Sequence, residues 1–342
     1  MNDVERGGEA RDALDRLCQA RGHELSLADL VHAGLDCLPA PGSGQTLARW
    51  QRLAAVAAHD LALVKLFEGH TDALAIQAEL GSAPPPLGSL WGTWCAEPPQ
   101  ARLQLVANGG QVCRLQGTKA WCSGADTVSH AVVSGWNEAG EPCLATVALH
   151  APGVTVTDEG WAAVGMASTR SVDVHFDGAL GHWLGRPGDY VKRAGFWQGG
   201  AGIAACWWGG AAGIAEMATL RMRGRDDAHG LAHLGTMDVA LSSTAALLRE
   251  CAAWVDAHPQ ASAQAWALRV RLAVEQAADV VMRSAGRALG AGPLCRDARF
   301  AQAMADLPVF LRQSHAERDL AALGAQVNAP QGPESAAPAW RL

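Results

Sequence analysis

Apolar positions recur at a spacing near 3.6 residues over 46–80, where Leu47, Trp50, Leu53, Ala54, Ala57, Leu61 and Val64 form one stripe. This pattern predicts amphipathic helix, broken at Gly69 or Gly81 and stopped by Pro84-Pro85-Pro86. A weaker helical signal, Leu14 with Leu17, precedes it over 10–22. From Trp91 to about Trp183 the texture changes to short β-rich runs at 103–106, 131–134, 145–149, 154–156 and 172–176. They are punctuated by Asn108-Gly109-Gly110, Gln116-Gly117, Pro152-Gly153 and Asp177-Gly178, a spacing that predicts a β-barrel or sandwich. Within it, residues 112–125 read as a strand, a tight turn at Gln116-Gly117 and a second strand that carries Trp121 and Ser123 into a loop. Beyond Tyr190 the helical period returns. Residues 198–223 have the Gly/Ala composition of a closely packed helix, Thr236 is placed to cap a run to about Asp256, and 261–289 ends at Gly290-Ala291-Gly292-Pro293. A last helix is expected over roughly 306–324, and the Pro- and Ala-rich residues 328–342 are expected to be disordered.

The order is therefore helical (1–88), β (89–190), helical and bundle-like (191–327), then a tail (328–342), an α+β plan. With 342 residues, 49% of them hydrophobic and only 18% charged, the chain has material for a large core and for much buried helix or a subunit interface. The net charge of −7, without a Lys/Arg block, gives a nucleic-acid partner no support. Nine scattered cysteines form no Cys-x-x-Cys pair, so neither a zinc site nor a redox dithiol is indicated. They read as reduced thiols of a cytoplasmic protein. The N-terminus lacks a signal-peptide pattern, and the longest apolar run, 201–215, is too short to span a bilayer.

Four segments carry a resemblance: Trp94-Cys95-Ala96-Glu97-Pro98, the stretch 112–125, Val164-Gly165-Met166-Ala167-Ser168-Thr169, and Val174-His175-Phe176-Asp177. In this order, between two helical regions, they resemble the flavin-binding middle domain of the acyl-CoA dehydrogenase family. The resemblance implies that family's fold: an N-terminal helical domain, a middle β-barrel and a C-terminal four-helix bundle, assembled as a homodimer or homotetramer. It implies FAD as cofactor. The family's Thr-Glu-Pro segment becomes Ala96-Glu97-Pro98, so Trp94, Cys95 and Ala96 are expected near the flavin. Trp-Ile-Thr becomes Trp121-Cys122-Ser123, with Trp121 stacking near the ring and Ser123 offering a hydroxyl close to N5. Read alone, Trp121 fits a barrel core and Ser123-Gly124 a turn. The family's Gly-Ala-Gly-Ser-Asp stretch is Pro99-Gln100-Ala101-Arg102 here, which removes a backbone nest facing flavin or phosphate. Arg223 or Arg225 stands where the family's Arg-x-x-Phe-Gly motif reaches FAD, although the motif does not match and either arginine also suits a solvated helix end. Gly290 and Gly292 correspond to the family's Gly-Gly-x-Gly loop, followed by Arg296-Asp297-Ala298-Arg299, where glycine lets backbone approach a neighbouring subunit's cofactor.

The reaction is less well marked. The family's catalytic glutamate position falls on Ala305, and its alternative position falls on Ile203. Asp306 is the substitute base one residue on, or equally the cap of a helix beginning at Leu307-Pro308. The polar run Arg312 to Asp319, expected on a helix with His315 and Asp319 four apart, resembles monooxygenases of the same fold, such as the dibenzothiophene type. There a His and a Ser near the flavin help form the C4a-hydroperoxide, which would pair His315 with Ser123; a surface helix laced with ion pairs is the plainer reading. Glu68-Gly69-His70 is either a polar helix end or part of a substrate mouth. Three functions remain open. One is a FAD-dependent dehydrogenase of a CoA or carrier-protein thioester, passing electrons to an acceptor. Another is a monooxygenase supplied by a flavin reductase. The last is an inactive acyl- or flavin-binding homologue.

Overall fold

The computed structural model describes residues 3–21 and 24–328. The expected tail lies outside them apart from Asn328, which ends a helix. The elements in order are α1 (Asp3–Arg21), α2 (Leu27–His32), α3 (Thr46–His59), α4 (Leu61–Glu79), β1 (Trp91–Trp94), β2 (Leu103–Ala107), β3 (Val112–Cys122), β4 (His130–Trp136), β5 (Pro142–Ala148), β6 (Val154–Val156) and β7 (Val172–Leu184). Then follow α5 (Asp189–Lys192), α6 (Gly195–Met222), α7 (Ala228–Ala257), α8 (Gln264–Leu289), α9 (Ala291–Arg296), α10 (Ala298–Phe310) and α11 (Glu317–Asn328). The chain forms two compact units. Among the described residues, one comprises 12–21, 24–38 and 62–196, and the other 3–11, 39–61 and 197–328.

The first unit is built on the strands. β4 pairs with β2, β2 with β3, β3 with β7, β7 with β5, and β5 with β4, so the sheet closes on itself, with β1 parallel to β4 and β6 alongside β7. Closure removes the free edges that an open sheet leaves. The anticipated turn at Gln116-Gly117 is absent. β3 is one strand paired with β2 on one side and β7 on the other, with a register shift at Leu115/Gln116. Gly117 adopts φ +116, a conformation that serves a bulge as readily as a turn, and a Cβ there would meet the Arg102 carbonyl at 2.7 Å. β1, which the periodicity left unmarked, packs Trp91 with Ala73 and Ile76 of α4 and with Val132, Leu144 and Leu184.

His70 is neither a helix end nor an open mouth residue. It lies within α4 and is buried; its Nδ1 accepts from the Trp91 N–H at 3.1 Å, and its Nε2 faces Asp36 at 3.4 Å. Burial pushes its pKa below the ordinary 6.5, against the opposing pull of Asp36. A neutral His70 therefore contributes stability that is complete above about pH 6.5 and lost as pH falls towards the folded-state value. Tm measured across pH should fall below that point, and His70→Gln should flatten this part of the profile.

The second unit is helical. The single helix expected over 46–80 is two, broken at Asp60 rather than at Gly69: α3 belongs to this unit, and α4, which ends at Glu79 just before Gly81, belongs almost wholly to the first. Of the expected stripe, Trp50, Leu53, Ala57, Leu61 and Val64 are buried, while Leu47 and Ala54 are half-buried. α6 turns its glycines to α3: a Cβ at Gly209 would lie 2.3 Å from the Ala54 carbonyl oxygen, and one at Gly213 would lie 2.7 Å from that of Ala58. At Gly209 and Gly213 the small-residue face is thus occupied by α3 of the same chain. α7 begins eight residues before Thr236 and is capped by Asp227, whose carboxylate accepts from the His229 N–H. The expected last helix is α10, a short 3-10 turn over Leu311–Gln313, and α11. α7 is the one helix among the described residues long and apolar enough to cross a membrane, and 17% of its apolar window is buried.

Candidate functional site

In the first unit, the ends of β1, β3 and β7 bring Trp94, Trp121, Ser123, Thr169 and Ser171 together. Trp121 adopts φ 57, in the left-handed region, and remains 50% exposed. A bulky side chain there costs about 1–2 kcal/mol. It is not a barrel-core tryptophan: β3 turns Cys122 fully inward and Trp121 outward, and Ser123, just beyond the strand, is half-buried. Cys122 is accordingly corrected as a side-chain contact to a cofactor, since its thiol donates to the Lys119 carbonyl at 3.1 Å within the core.

Trp94 is buried, and its indole N–H donates to the Ser123 carbonyl at 3.1 Å, so it braces the loop from behind. The Gly124 N–H donates to the Thr169 carbonyl at 2.7 Å, tying the end of β3 to the turn before β7. The Ser123 and Ser171 hydroxyls lie 2.8 Å apart, and Ser171 and Thr169 lie 2.8 Å apart. Thr169 Oγ1 donates to the Met166 carbonyl at 2.8 Å. Met166 and Arg170, on either side of Thr169, also have positive φ, 59 and 40. Three non-glycine residues in left-handed backbone around one patch are the kind of strain that gathers at functional sites.

A second network underpins the patch. Lys119 is completely buried, where strand alternation calls for an apolar side chain. Its ammonium donates to Glu97 Oε1 at 2.5 Å, to the Ser134 carbonyl at 2.9 Å and to Ser134 Oγ at 2.8 Å. Glu97 also accepts from the Ser134 hydroxyl and from the Trp136 indole. Burial raises the Glu97 pKa, but the charge of Lys119 and these donors outweigh it, and the carboxyl stays below its ordinary value. Ala96, half-buried, is thereby held beside a fixed Glu97. Cys95 faces Tyr190, and burial pushes its thiol up to about 11, leaving it protonated and unreactive. All nine cysteines are free.

The remaining expected residues lie in the second unit. Asp306 is not a cap. It sits inside α10, is 3% exposed, and accepts from Gln302 Nε2 at 2.6 Å; Asp297 caps that helix through the Phe300 N–H. Pro308 is carried within the helix, so its sequence signal for a helix start misleads. His315 is not on a helix. It lies in a turn with Ala316 at φ 45, its side chain 59% exposed and 3.5 Å from Asp319, which also accepts from the His315 N–H at 3.1 Å. Arg223 and Arg225 are exposed in the α6–α7 turn. Gly290 ends α8 at φ 67 and Gly292 lies in α9; a Cβ at either would meet nothing within 4 Å. Among the described residues, no three His, Cys, Asp or Glu side chains group to hold a metal ion.

Sequence reading passed over Lys119, Ser134, Ser171 and the orientation of His70. Thr169 and Ser171, two apart at a strand entry, were the available signal.

No protein-family profile matches the sequence, and no curated protein matches it. Solved structures do match over nearly the whole chain. FMN-bound TdsC from Paenibacillus sp. A11-2, a dibenzothiophene monooxygenase, superposes with a TM-score of 0.80 at 17% identity, covering 96% of this chain and 99% of that one. KijD3 in complex with dTDP gives 0.78 at 19%, covering 94% and 96%. Methanesulfinate monooxygenase MsuC from Pseudomonas fluorescens gives 0.76 at 19%, covering 96% and 97%. At such identities the likeness establishes architecture, and the chain has the acyl-CoA dehydrogenase-type fold shared by these proteins.

Proposed function

We propose that the protein is a flavin-dependent monooxygenase that takes reduced flavin from a reductase. The observation that carries this reading is the patch at the end of β3: a half-exposed indole held in left-handed backbone beside the Ser123 hydroxyl. An exposed aromatic face offers stacking to a planar ring, and the adjacent hydroxyl reaches its edge. These residues fit a flavin. The site is braced from behind by Trp94 and by the Glu97–Lys119 pair, so binding meets a preformed surface. When bound, reduced flavin supplies the electrons that activate O2, one oxygen atom going to the substrate and the other to water. By the resemblance to monooxygenases of the same fold, His315 is the further residue that this reading assigns to the reaction. FMN, seen in TdsC, and FAD, implied by the family, both remain open.

The dehydrogenase reading, with FAD and an acyl thioester, rests on Asp306. It is weakened by Ala305 and Ile203 at the two positions where the resemblance expects glutamate. His315→Ala and Asp306→Ala separate the two. Loss of turnover in His315→Ala alone supports the monooxygenase, loss in Asp306→Ala alone the dehydrogenase, and activity surviving both discards both residue assignments. A protein that binds neither oxidised nor reduced flavin would leave only the inactive homologue.

Trp121→Gly tests the stacking surface. Its unfolding free energy should change by no more than about 1 kcal/mol, because relief of backbone strain offsets lost contacts. Its affinity for flavin should fall roughly tenfold. A merely structural tryptophan would give the reverse pattern, lost stability and unchanged binding.

We also infer a homo-oligomer. α7 leaves Leu231 50% and Val239 69% exposed on a long apolar helix, a surface of the kind that a second copy covers. Light scattering should give a multiple of 35.7 kDa, and Val239→Glu should lower it.

A further inference from the structure

We propose that Thr169 and Ser171 are positioning residues that fix Ser123 as a hydrogen-bond acceptor, so that the site prefers reduced to oxidised flavin. The inference rests on the reading that flavin lies against Ser123.

Three hydroxyls and one carbonyl stand in a row. Each hydroxyl has one proton to give, and the Met166 carbonyl, at the inner end, has none. Thr169 Oγ1 lies 2.8 Å from the Met166 oxygen and 2.8 Å from Ser171 Oγ. Thr169 is 1% and Ser171 4% exposed, so water does not compete for these contacts. For every contact in the row to be a hydrogen bond, Thr169 must donate to Met166. Ser171 must then donate to Thr169, and Ser123 to Ser171 across 2.8 Å. The opposite order would leave two acceptor oxygens, of Thr169 and Met166, facing each other at 2.8 Å inside the protein, an unmade bond in place of a made one.

The inner carbonyl thus dictates the outer end. The Ser123 proton points inward and its remaining lone pairs point out. Other contacts hold this geometry. The Ser123 carbonyl is fixed by the Trp94 indole at 3.1 Å, and the Thr169 carbonyl by the Gly124 N–H at 2.7 Å. The Met166 oxygen, which as a carbonyl can only accept, is held in place by the Trp161 indole and the Thr169 N–H, each donating to it at 3.1 Å. The left-handed φ values of Met166 and Arg170 set the turn that aligns the row.

N5 of reduced flavin carries a hydrogen, whereas N5 of oxidised flavin is a bare acceptor. An outward lone pair satisfies the first and repels the second. Discrimination of this type comes from the partner left unpaired as much as from the bond made. Ser171 and Thr169 need not touch the flavin to exert it.

The test is anaerobic titration of the wild-type protein and three variants with FMN, oxidised and dithionite-reduced, following tryptophan fluorescence to obtain both Kd values. Wild type should bind the reduced form at least about tenfold more tightly. Ser171→Ala frees the Ser123 proton to turn outward and should bring the two affinities together. Thr169→Val removes the anchor one residue deeper and should do the same. Ser123→Ala should lose affinity for reduced FMN while keeping that for oxidised. Equal affinities in wild type, or a preference for the oxidised form, would overturn the inference and leave the flavin reading standing. So would a preference that persists in both Ser171→Ala and Thr169→Val. If neither oxidised nor reduced FMN binds, and FAD is equally inert, both readings are overturned. Should Thr169→Val not fold, Ser171→Ala alone decides the matter.

Discussion

Glu97→Ala should destabilise the protein by about 3 kcal/mol, and Lys119→Met should cost distinctly less, although the two remove the same ion pair. The asymmetry follows from where each partner lies. Lys119 is fully buried, whereas the Glu97 side chain is 30% exposed. Without Glu97, an ammonium that cannot reach water keeps only Ser134 as a partner. Without Lys119, Glu97 keeps the Ser134 hydroxyl and the Trp136 indole and can hydrate, while methionine fills the lysine's volume with apolar atoms. The double variant should therefore be more stable than Glu97→Ala alone. Denaturant unfolding of the four proteins measures this as a double-mutant cycle, and equal costs for the two single variants would show that the lysine is not stranded. The pair also has a pH signature. Because the folded-state pKa of Glu97 is lowered, its contribution is complete above its ordinary value of 4.5 and is lost as pH falls through the folded value. Lys119→Met should shrink that acid loss. Glu97 lies in the loop leaving β1, beside the Trp94 brace, so Glu97→Ala is also expected to weaken flavin binding.

Gly209→Val is the second large effect, expected at about 3 kcal/mol or failure to fold. The first added carbon would lie 2.3 Å from the Ala54 carbonyl oxygen and 2.6 Å from its Cα. Both are backbone atoms of α3, so no rotamer change relieves the clash and the helices must separate. Gly213→Val meets the Ala58 oxygen at 2.7 Å and should behave similarly but less severely. Gly200→Val provides the control, since a Cβ there meets nothing within 4 Å, and only the intrinsic cost of a β-branched residue applies. Thermal unfolding ranks the three, and a Gly209→Val as stable as Gly200→Val would refute the close α3–α6 contact.

Much of the architecture was legible because it is periodic. The stripe from Trp50 to Val64 buries one helix face, and short β-rich runs between turn residues marked β2, β4, β5, β6 and the first part of β7. The order helix, strand, helix, with Trp94–Pro98 and Trp121–Ser123 in sequence, was enough to anticipate the fold later seen in the solved neighbours. The errors share one physical cause: local signals were outvoted by distant partners. Gln116-Gly117 has turn chemistry, yet β2 and β7 pair on either side of it and draw it into a strand. Asp306-Leu307-Pro308 has cap chemistry, yet Asp297 starts the helix nine residues earlier. The N-terminus of α3 has no side-chain cap of its own. Asp256, at the far end of α7, accepts from the Thr46 N–H at 3.0 Å and its hydroxyl at 2.6 Å.

The site divides the same way. Sequence by itself determined which residue types stand at the end of β3 and which acyl-CoA dehydrogenase residues are replaced, because identity and order are local facts. Only the tertiary structure decided that Trp121 faces out while Cys122 faces in, that Lys119 is buried against Glu97, and that Ser123, Ser171 and Thr169 share one row of hydroxyls. A hydroxyl's proton goes to whichever acceptor lies within reach, and for Ser123 that acceptor is 48 residues away along the chain. Polarity of that kind is a property of contacts, which a linear sequence does not contain until closure of the barrel brings them together.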